Sequence, residues 1–251
     1  MPWWEPLAAS VAFLTVFPVP RTHISAASLG KATALFPLVG AAIGAFLGGL
    51  GLLLDRVLPP APTAALLLLV SATMTGALHL DGLMDTADGV LGAGTIERRL
   101  AIMRDSRVGA FGVVAGILII LSQFACLVEL TGAARLLALT VALTMSRWAM
   151  TLALGLFPPA RADGLGATFQ AATGRRPLVV GTLTAAAVAL VTGPLGMVAF
   201  AGGAVAALAG GYLLTRLLGG LTGDTYGALA VLVETLGLCL AVAVLAARSG
   251  S

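Results

Sequence analysis

The sequence predicts an all-α fold: a polytopic helical membrane protein of about seven spans, with an N-terminal interfacial segment and a short cytoplasmic surface helix. Three observations carry that prediction. Of the 251 residues, 59% are hydrophobic and only 10% are charged, and the mean hydropathy is +1.05, far from the balance of a soluble domain. Residues 32–54, 57–80, 108–128 and 177–215 contain no Asp, Glu, Lys or Arg. A helix needs ~20 apolar residues to cross the hydrocarbon core, so the first three runs each suffice for one span. The fourth suffices for two, with a break at Gly193-Pro194. Finally, the basic residues fall unevenly between alternate loops.

The chain begins MPWWEP and lacks a basic leading segment, so a cleaved signal peptide is not expected. Trp3 and Trp4 suit an interfacial anchor, with residues 5–17 lying on or dipping into the membrane. Arg21 to Lys31 reads as a polar connector, with Ser28 a candidate cap for the first long helix. Spans are expected at roughly 33–54, 61–80, 109–129, 136–157, 178–195, 197–215 and 226–247, punctuated by Pro59-Pro60, Pro158-Pro159 and Gly219-Gly220. Gly40, Gly44 and Gly48 recur at the four-residue spacing that lets membrane helices approach closely. Cys126 and Cys239 fall inside predicted spans and read as buried free thiols, not a disulfide framework or zinc site. No internal repeat or linker divides residues 1–251, which read as a single integral membrane domain.

Arg21, Lys31, Arg98, Arg99, Arg104, Arg107, Arg161, Arg175, Arg176 and Arg216 fall on one side of this topology, and only Arg56, Arg135 and Arg248 on the other. That asymmetry makes the first side cytoplasmic. Arg147 lies inside the fourth span. Residues 95–107 read as a surface helix with Ile96, Leu100 and Met103 as its apolar stripe, a pattern that suits anionic lipid headgroups.

Five of the eleven acidic residues lie between Thr75 and Arg107. Asp81, Asp85 and Asp88 are spaced four and then three apart, which places them within ~60° on one helix face. A solvated helix end is the plainer explanation. Yet like charges at this spacing repel, and ionised groups beside a bilayer are costly. A magnesium or manganese site explains them better, since hard divalent ions combine one or two carboxylates with substrate phosphates. His79 is either a hydrogen-bonded structural group or a general base. The glycine-rich turn Thr222-Gly223-Asp224-Thr225 is either an ordinary loop or a further acidic element on the same side. Glu234 lies inside the last span, where Arg147 could pair with it or face a phosphate. Arg98, Arg99, Arg104 and Arg107 supply forked donors for phosphate oxygens. Together these residues point to metal-assisted phosphoryl transfer.

Several segments, in order, carry a resemblance. Phe13-Leu-Thr-Val-Phe-Pro-Val-Pro20, Phe36-Pro-Leu-Val-Gly40 and Gly76-Ala-Leu-His-Leu-Asp-Gly-Leu-Met-Asp-Thr-Ala-Asp-Gly89 are three of them. Ile102-Met-Arg-Asp-Ser-Arg107 with Gly109, Ser146-Arg147, Gly164-Leu-Gly166 and Gly219-Gly-Leu-Thr-Gly-Asp-Thr-Tyr-Gly227 complete the set. Over nearly its full length the chain resembles the cobalamin synthase family, the adenosylcobinamide-GDP ribazoletransferases, with Met84 and Tyr226 as mild departures. The resemblance implies that the ribose 3-hydroxyl of α-ribazole, or of its 5′-phosphate, attacks the cobinamide-linked phosphate of adenosylcobinamide-GDP. GMP then leaves and adenosylcobalamin or its 5′-phosphate forms, with magnesium required. By position, Asp81, Asp85 and Asp88 would hold the metal, with Asp105 or Asp224. His79 would be the candidate base, and Arg104, Ser106, Arg107, Arg147, Thr222, Gly223 and Thr225 would contact substrate. The implied setting is the bacterial cytoplasmic (inner) membrane with the active site facing the cytoplasm, the lipid bilayer as surroundings and no nucleic acid partner; a homo-oligomer is left open by unassigned glycine-rich faces.

Two other readings compete. A CDP-alcohol phosphotransferase making phospholipids would follow Asp-Gly with Ala-Arg, whereas Asp81-Gly82 is followed by Leu83-Met84-Asp85. A divalent-cation transporter would place charges near the midplane of several spans. Here they cluster at one end beside arginines.

Overall fold

The computed structural model describes residues 4–19, 25–92, 94–161 and 165–249. Trp3, Arg21 and Gly164 lie outside them. The described chain folds into α1 (Glu5–Leu14), α2 (Ala26–Ala32), α3 (Phe36–Leu54), α4 (Pro60–Thr75), α5 (Leu78–Leu91), α6 (Ile96–Ile102), α7 (Ala110–Glu129), α8 (Gly132–Leu156), α9 (Leu165–Ala172), α10 (Arg175–Val191), α11 (Pro194–Leu218) and α12 (Gly223–Ser249). The only β-type pairing among described residues is an isolated bridge between Pro159 and Leu221.

Among the described residues, five helical stretches are long and apolar enough to cross a membrane, and α4 with α5 makes a sixth if the two are joined. The expected seven therefore contracts, for physical reasons. The segment predicted to span 61–80 stops at Thr75 after 16 residues, and the chain then bends by 88° into α5. Helix α10 has 17 residues, at the lower limit for a crossing.

Helix α8 is the hub, buried along nearly the whole of residues 138–154 and packed against α3, α10, α11 and α12. The α3 contact is the closest. A Cβ on Gly44 would lie 2.6 Å from Thr140 Cα, and one on Gly48 2.5 Å from Leu136 Cα. The glycine spacing is thus a backbone-on-backbone seam. Gly49, one residue along, has open space around its Cβ position. Gly44→Ala is accordingly expected to destabilise by roughly 1–3 kcal/mol through overpacking, whereas Gly49→Ala should be neutral or stabilise by up to ~1 kcal/mol. Thermal melts in detergent check this; equal shifts would contradict the seam.

At one end of the bundle, Arg135 sits in the first turn of α8, not in a loop, and is fully buried. Its Nη1 pairs with Asp55 at the end of α3 at 2.6 Å, and its Nε donates to the Leu130 carbonyl. The opposite end gathers α5, α6, the loop before α9 and the α11–α12 turn. There Arg99 donates to the Leu217 carbonyl, Arg161 to that of Leu100, and Ala160 N–H to that of Leu221.

Three other expectations change. Helix α1 is tucked into the bundle, with Phe13 stacked on Phe36 and tilted against Phe169 and Glu5 buried, accepting from the Ser25 N–H. Ser25, not Ser28, caps α2, accepting from the Ser28 N–H. Cys126 and Cys239 are not buried; their sulfurs lie 3.5 Å apart and Cys239 is exposed.

Candidate active site

The site begins at the bend. Gly76 (φ 61) and Ala77 (φ 53) are both left-handed. Ala77 N–H closes back on the Ala72 carbonyl and Gly76 N–H on that of Thr73, a Schellman ending that satisfies the last carbonyls of α4. A left-handed alanine costs ~1–2 kcal/mol. The reward is direction: α5 runs across the end of the bundle, not along the axis of α4.

Helix α5 is packed on two sides. A Cβ on Gly82 would meet the Asp224 carbonyl oxygen at 2.7 Å, and one on Gly227 would lie 3.2 Å from His79 Cα; α12 thus occupies one face. On another, the Met84 carbonyl oxygen lies against Gly112 and its side chain against Gly116 of α7, so a side chain larger than expected finds room over a glycine. Between the two faces, Asp81 is exposed and Asp85 half-buried.

The three acids that spacing makes equivalent are not equivalent here. Asp88 is buried, and its carboxylate accepts the Gly109 N–H at 2.7 Å and the Gly112 N–H at 2.9 Å. It anchors the start of α7, where the amino end of the helix favours negative charge. Asp85 has no such donors among the described hydrogen bonds. Burial, then the neighbouring Asp81, Asp224 and Asp88 carboxylates, push it up to about 6. A crowded carboxylate such as Asp85 is what a bound cation would relieve.

Asp224 reaches the group from the first turn of α12. Thr222 and Thr225 cap that turn reciprocally: Thr225 Oγ1 accepts from the Thr222 N–H at 2.8 Å, and Thr222 Oγ1 from the Thr225 N–H at 3.3 Å. Both threonines are buried, so they build the turn, while Gly223 stays exposed with open space at its Cβ position. Arg161 acts electrostatically on Asp224. Sequence spacing did not single it out for the site; its cue was the Pro158-Pro159 loop that carries it to the α11–α12 turn.

The donor set fits a hard divalent cation. Asp81, Asp85 and Asp224 offer only carboxylate oxygens, beside the already bonded Asp88. Among the described residues no three His, Cys, Asp or Glu side chains form a ready cage. An open set suits magnesium, which keeps waters and takes substrate phosphates as ligands.

Other expected site residues lie elsewhere. Asp105 is held at about 2 by hydrogen bonds from Arg107, whose Nη2 is 2.7 Å from its carboxylate. Arg104, Ser106 and Arg107 are exposed on the turn after α6. Asp88, Arg98, Asp105, Arg107 and Gly109 line a cleft of about 330 Å³ there. His79 lies two residues before Asp81, ~200° around the helix from it, and is buried on the side away from the acids. Arg147 is paired with Glu234 at 3.1 Å, deep between α8 and α12.

Residues 6–242 match the cobalamin-5-phosphate synthase family. The adenosylcobinamide-GDP ribazoletransferase of Desulforamulus reducens is 39% identical over 238 residues, covering 91% of this chain and 92% of that one. Those of Roseiflexus and Escherichia coli are 36% and 40% identical, covering 94% and 88% of this chain and 90% and 92% of theirs. No solved structure matches the chain.

Proposed function

The chain belongs to the cobalamin-5-phosphate synthase family, and from that premise we propose that it joins α-ribazole, or α-ribazole 5′-phosphate, to adenosylcobinamide-GDP. The products are GMP and adenosylcobalamin or its 5′-phosphate. The observation that carries this reading within the structure is the acidic group at the α4–α5 bend, drawn together from α5 and α12 and left without neutralising partners around Asp85. In the reaction, a bond forms between the ribose 3-hydroxyl oxygen and the cobinamide-linked phosphorus. The bond from that phosphorus to the GMP oxygen breaks, and GMP carries away the electron pair.

Asp81, Asp85 and Asp224 would hold magnesium, or manganese in its place. That ion, when bound, supplies neutralisation of charge building on the phosphate oxygens. Asp88 fixes the start of α7 against α5 and so sets the position of its neighbours on the helix face. Arg98 and Arg107 present forked donors along the adjoining cleft, suited to the guanylyl phosphates. With His79 turned away, the hydroxyl proton is assigned to the aspartate face. The arginine-rich end faces the cytoplasm, and the protein resides in the bacterial inner membrane.

The test is direct. Protein in liposomes with magnesium should release GMP from adenosylcobinamide-GDP only when α-ribazole or its phosphate is added. Chelation should stop release, and a CDP-alcohol should not replace the corrinoid donor. Absence of GMP in liposomes that hold folded protein would overturn the assignment.

A further inference from the structure

The polar cluster that the acidic site leaves out has its own cavity. About 540 Å³ opens between α4, α5, α7 and α12, with a wall formed mostly of Leu, Ile, Ala and Phe side chains. That volume is in the range of small-ligand pockets, ~300–1,000 Å³: room for a two-ring base and a sugar, and too little for a corrinoid. His79 lines this cavity and is 4% exposed, and neither Nδ1 nor Nε2 has a hydrogen-bond partner. Buried polar atoms left unpaired oppose folding unless a ligand satisfies them. Beside His79, Arg147 spends Nη1 on Glu234 and Ser146, while its buried Nε is unpartnered.

We infer that this intramembrane pocket seats the aromatic base of the acceptor nucleoside, with His79 hydrogen-bonded to its heterocyclic edge. The inference rests on the ribazole acceptor proposed above and assigns it a place. An imidazole offers one donor and one acceptor. A fused, methylated benzimidazole presents an apolar body with a ring nitrogen at its edge, matching a mainly apolar wall in which His79 stands beside Gln123 and the Arg147–Glu234 pair. A lipid acyl chain would fill the same volume but leave both ring nitrogens of His79 unpaired. The lining includes Thr75 and Ala77 at the bend and Leu80 on α5, so the pocket adjoins the helix that carries Asp81.

Three variants test this: His79→Leu removes the hydrogen bonds, Ala72→Trp fills the pocket from α4, and His79→Gln keeps a donor and an acceptor. In GMP-release assays, the first two should raise the KM for α-ribazole about tenfold or more. The KM for adenosylcobinamide-GDP should stay within about twofold, and His79→Gln should recover part of the loss. Independently of turnover, free 5,6-dimethylbenzimidazole should bind the wild-type protein in nanodiscs by equilibrium dialysis, and not His79→Leu or Ala72→Trp. Wild-type turnover with unchanged α-ribazole KM in both variants would overturn the pocket and leave the reaction standing. No turnover by the wild type, with benzimidazole still bound at His79, would overturn the reaction and leave an aromatic-base site. Benzimidazole binding that is absent, or indifferent to both substitutions, would identify the cavity as lipid-filled and overturn the inference.

Discussion

Asp85→Asn is expected to lower turnover by at least ~100-fold, the scale on which a lost transition-state charge contact acts, and to do so without destabilising the protein. Activity alone would not discriminate, because any substitution that unfolds a membrane protein also silences it. The stability arm follows from the environment of Asp85. Burial and three neighbouring carboxylates push it from an ordinary 3.8 up to about 6, so its ionised form opposes folding. The full shift would correspond to about 3 kcal/mol. Solvent screening of a half-buried group reduces that to about 1 kcal/mol or less. In the absence of divalent metal at pH 7–8, Asp85→Asn should therefore melt at the same temperature as the wild type or ~2–4 °C above it. As pH falls from 6 toward 4, the folded wild type takes up a proton before the unfolded chain does, so the penalty fades and the two melts converge. Magnesium should raise the wild-type midpoint by linkage and leave the variant unmoved. Full turnover, or a magnesium response equal to the wild type, would remove Asp85 from the metal site.

How much of this was written in the sequence differs from residue to residue. Charge-free runs and the Gly40–Gly44–Gly48 spacing are local patterns, and the helices and their closest seam follow them. The bend at Gly76-Ala77 escaped hydropathy because residues 57–80 contain no charge on either side of it. Gly76 was a visible cue, but the partner left-handed residue is an alanine, which propensity does not flag. The acidic face was legible because period 3.6 is fixed by helix geometry. The same arithmetic places His79 opposite the acids, so its separation from them was available from spacing once helix α5 was recognised. What spacing could not supply is the long-range chemistry. The N–H groups that hold Asp88 lie 21 and 24 residues away, and the Arg147–Glu234 pair joins positions 87 apart. Thr222 and Thr225 show the converse: a reciprocal cap is a local pattern, readable from their separation, and it explains them without a ligand.

Asp88→Asn should behave oppositely to Asp85→Asn, although both replace an acid on one helix face. The Asp88 carboxylate accepts two backbone N–H bonds from the first turn of α7. An asparagine has one acceptor oxygen, so its NH₂ group must face one of those donors. The loss of a charge-assisted bond, worth about 1.5–3 kcal/mol, is joined by a buried N–H without a partner. A destabilisation of roughly 2–4 kcal/mol is expected, or a fall in melting temperature of about 5–10 °C, with or without magnesium. Gly112→Ala offers an independent route to the same contact, since its Cβ would lie 2.8 Å from the Met84 carbonyl oxygen and press on the Asp88 carboxylate. If Asp88 acts by holding α7 against α5, the two substitutions break one contact, and the double variant should lose less than the sum of the singles. Additive losses would mean that they damage separate contacts. An unchanged melt for Asp88→Asn would mean that the carboxylate is free for metal after all, and the division of labour among the three aspartates would have to be redrawn.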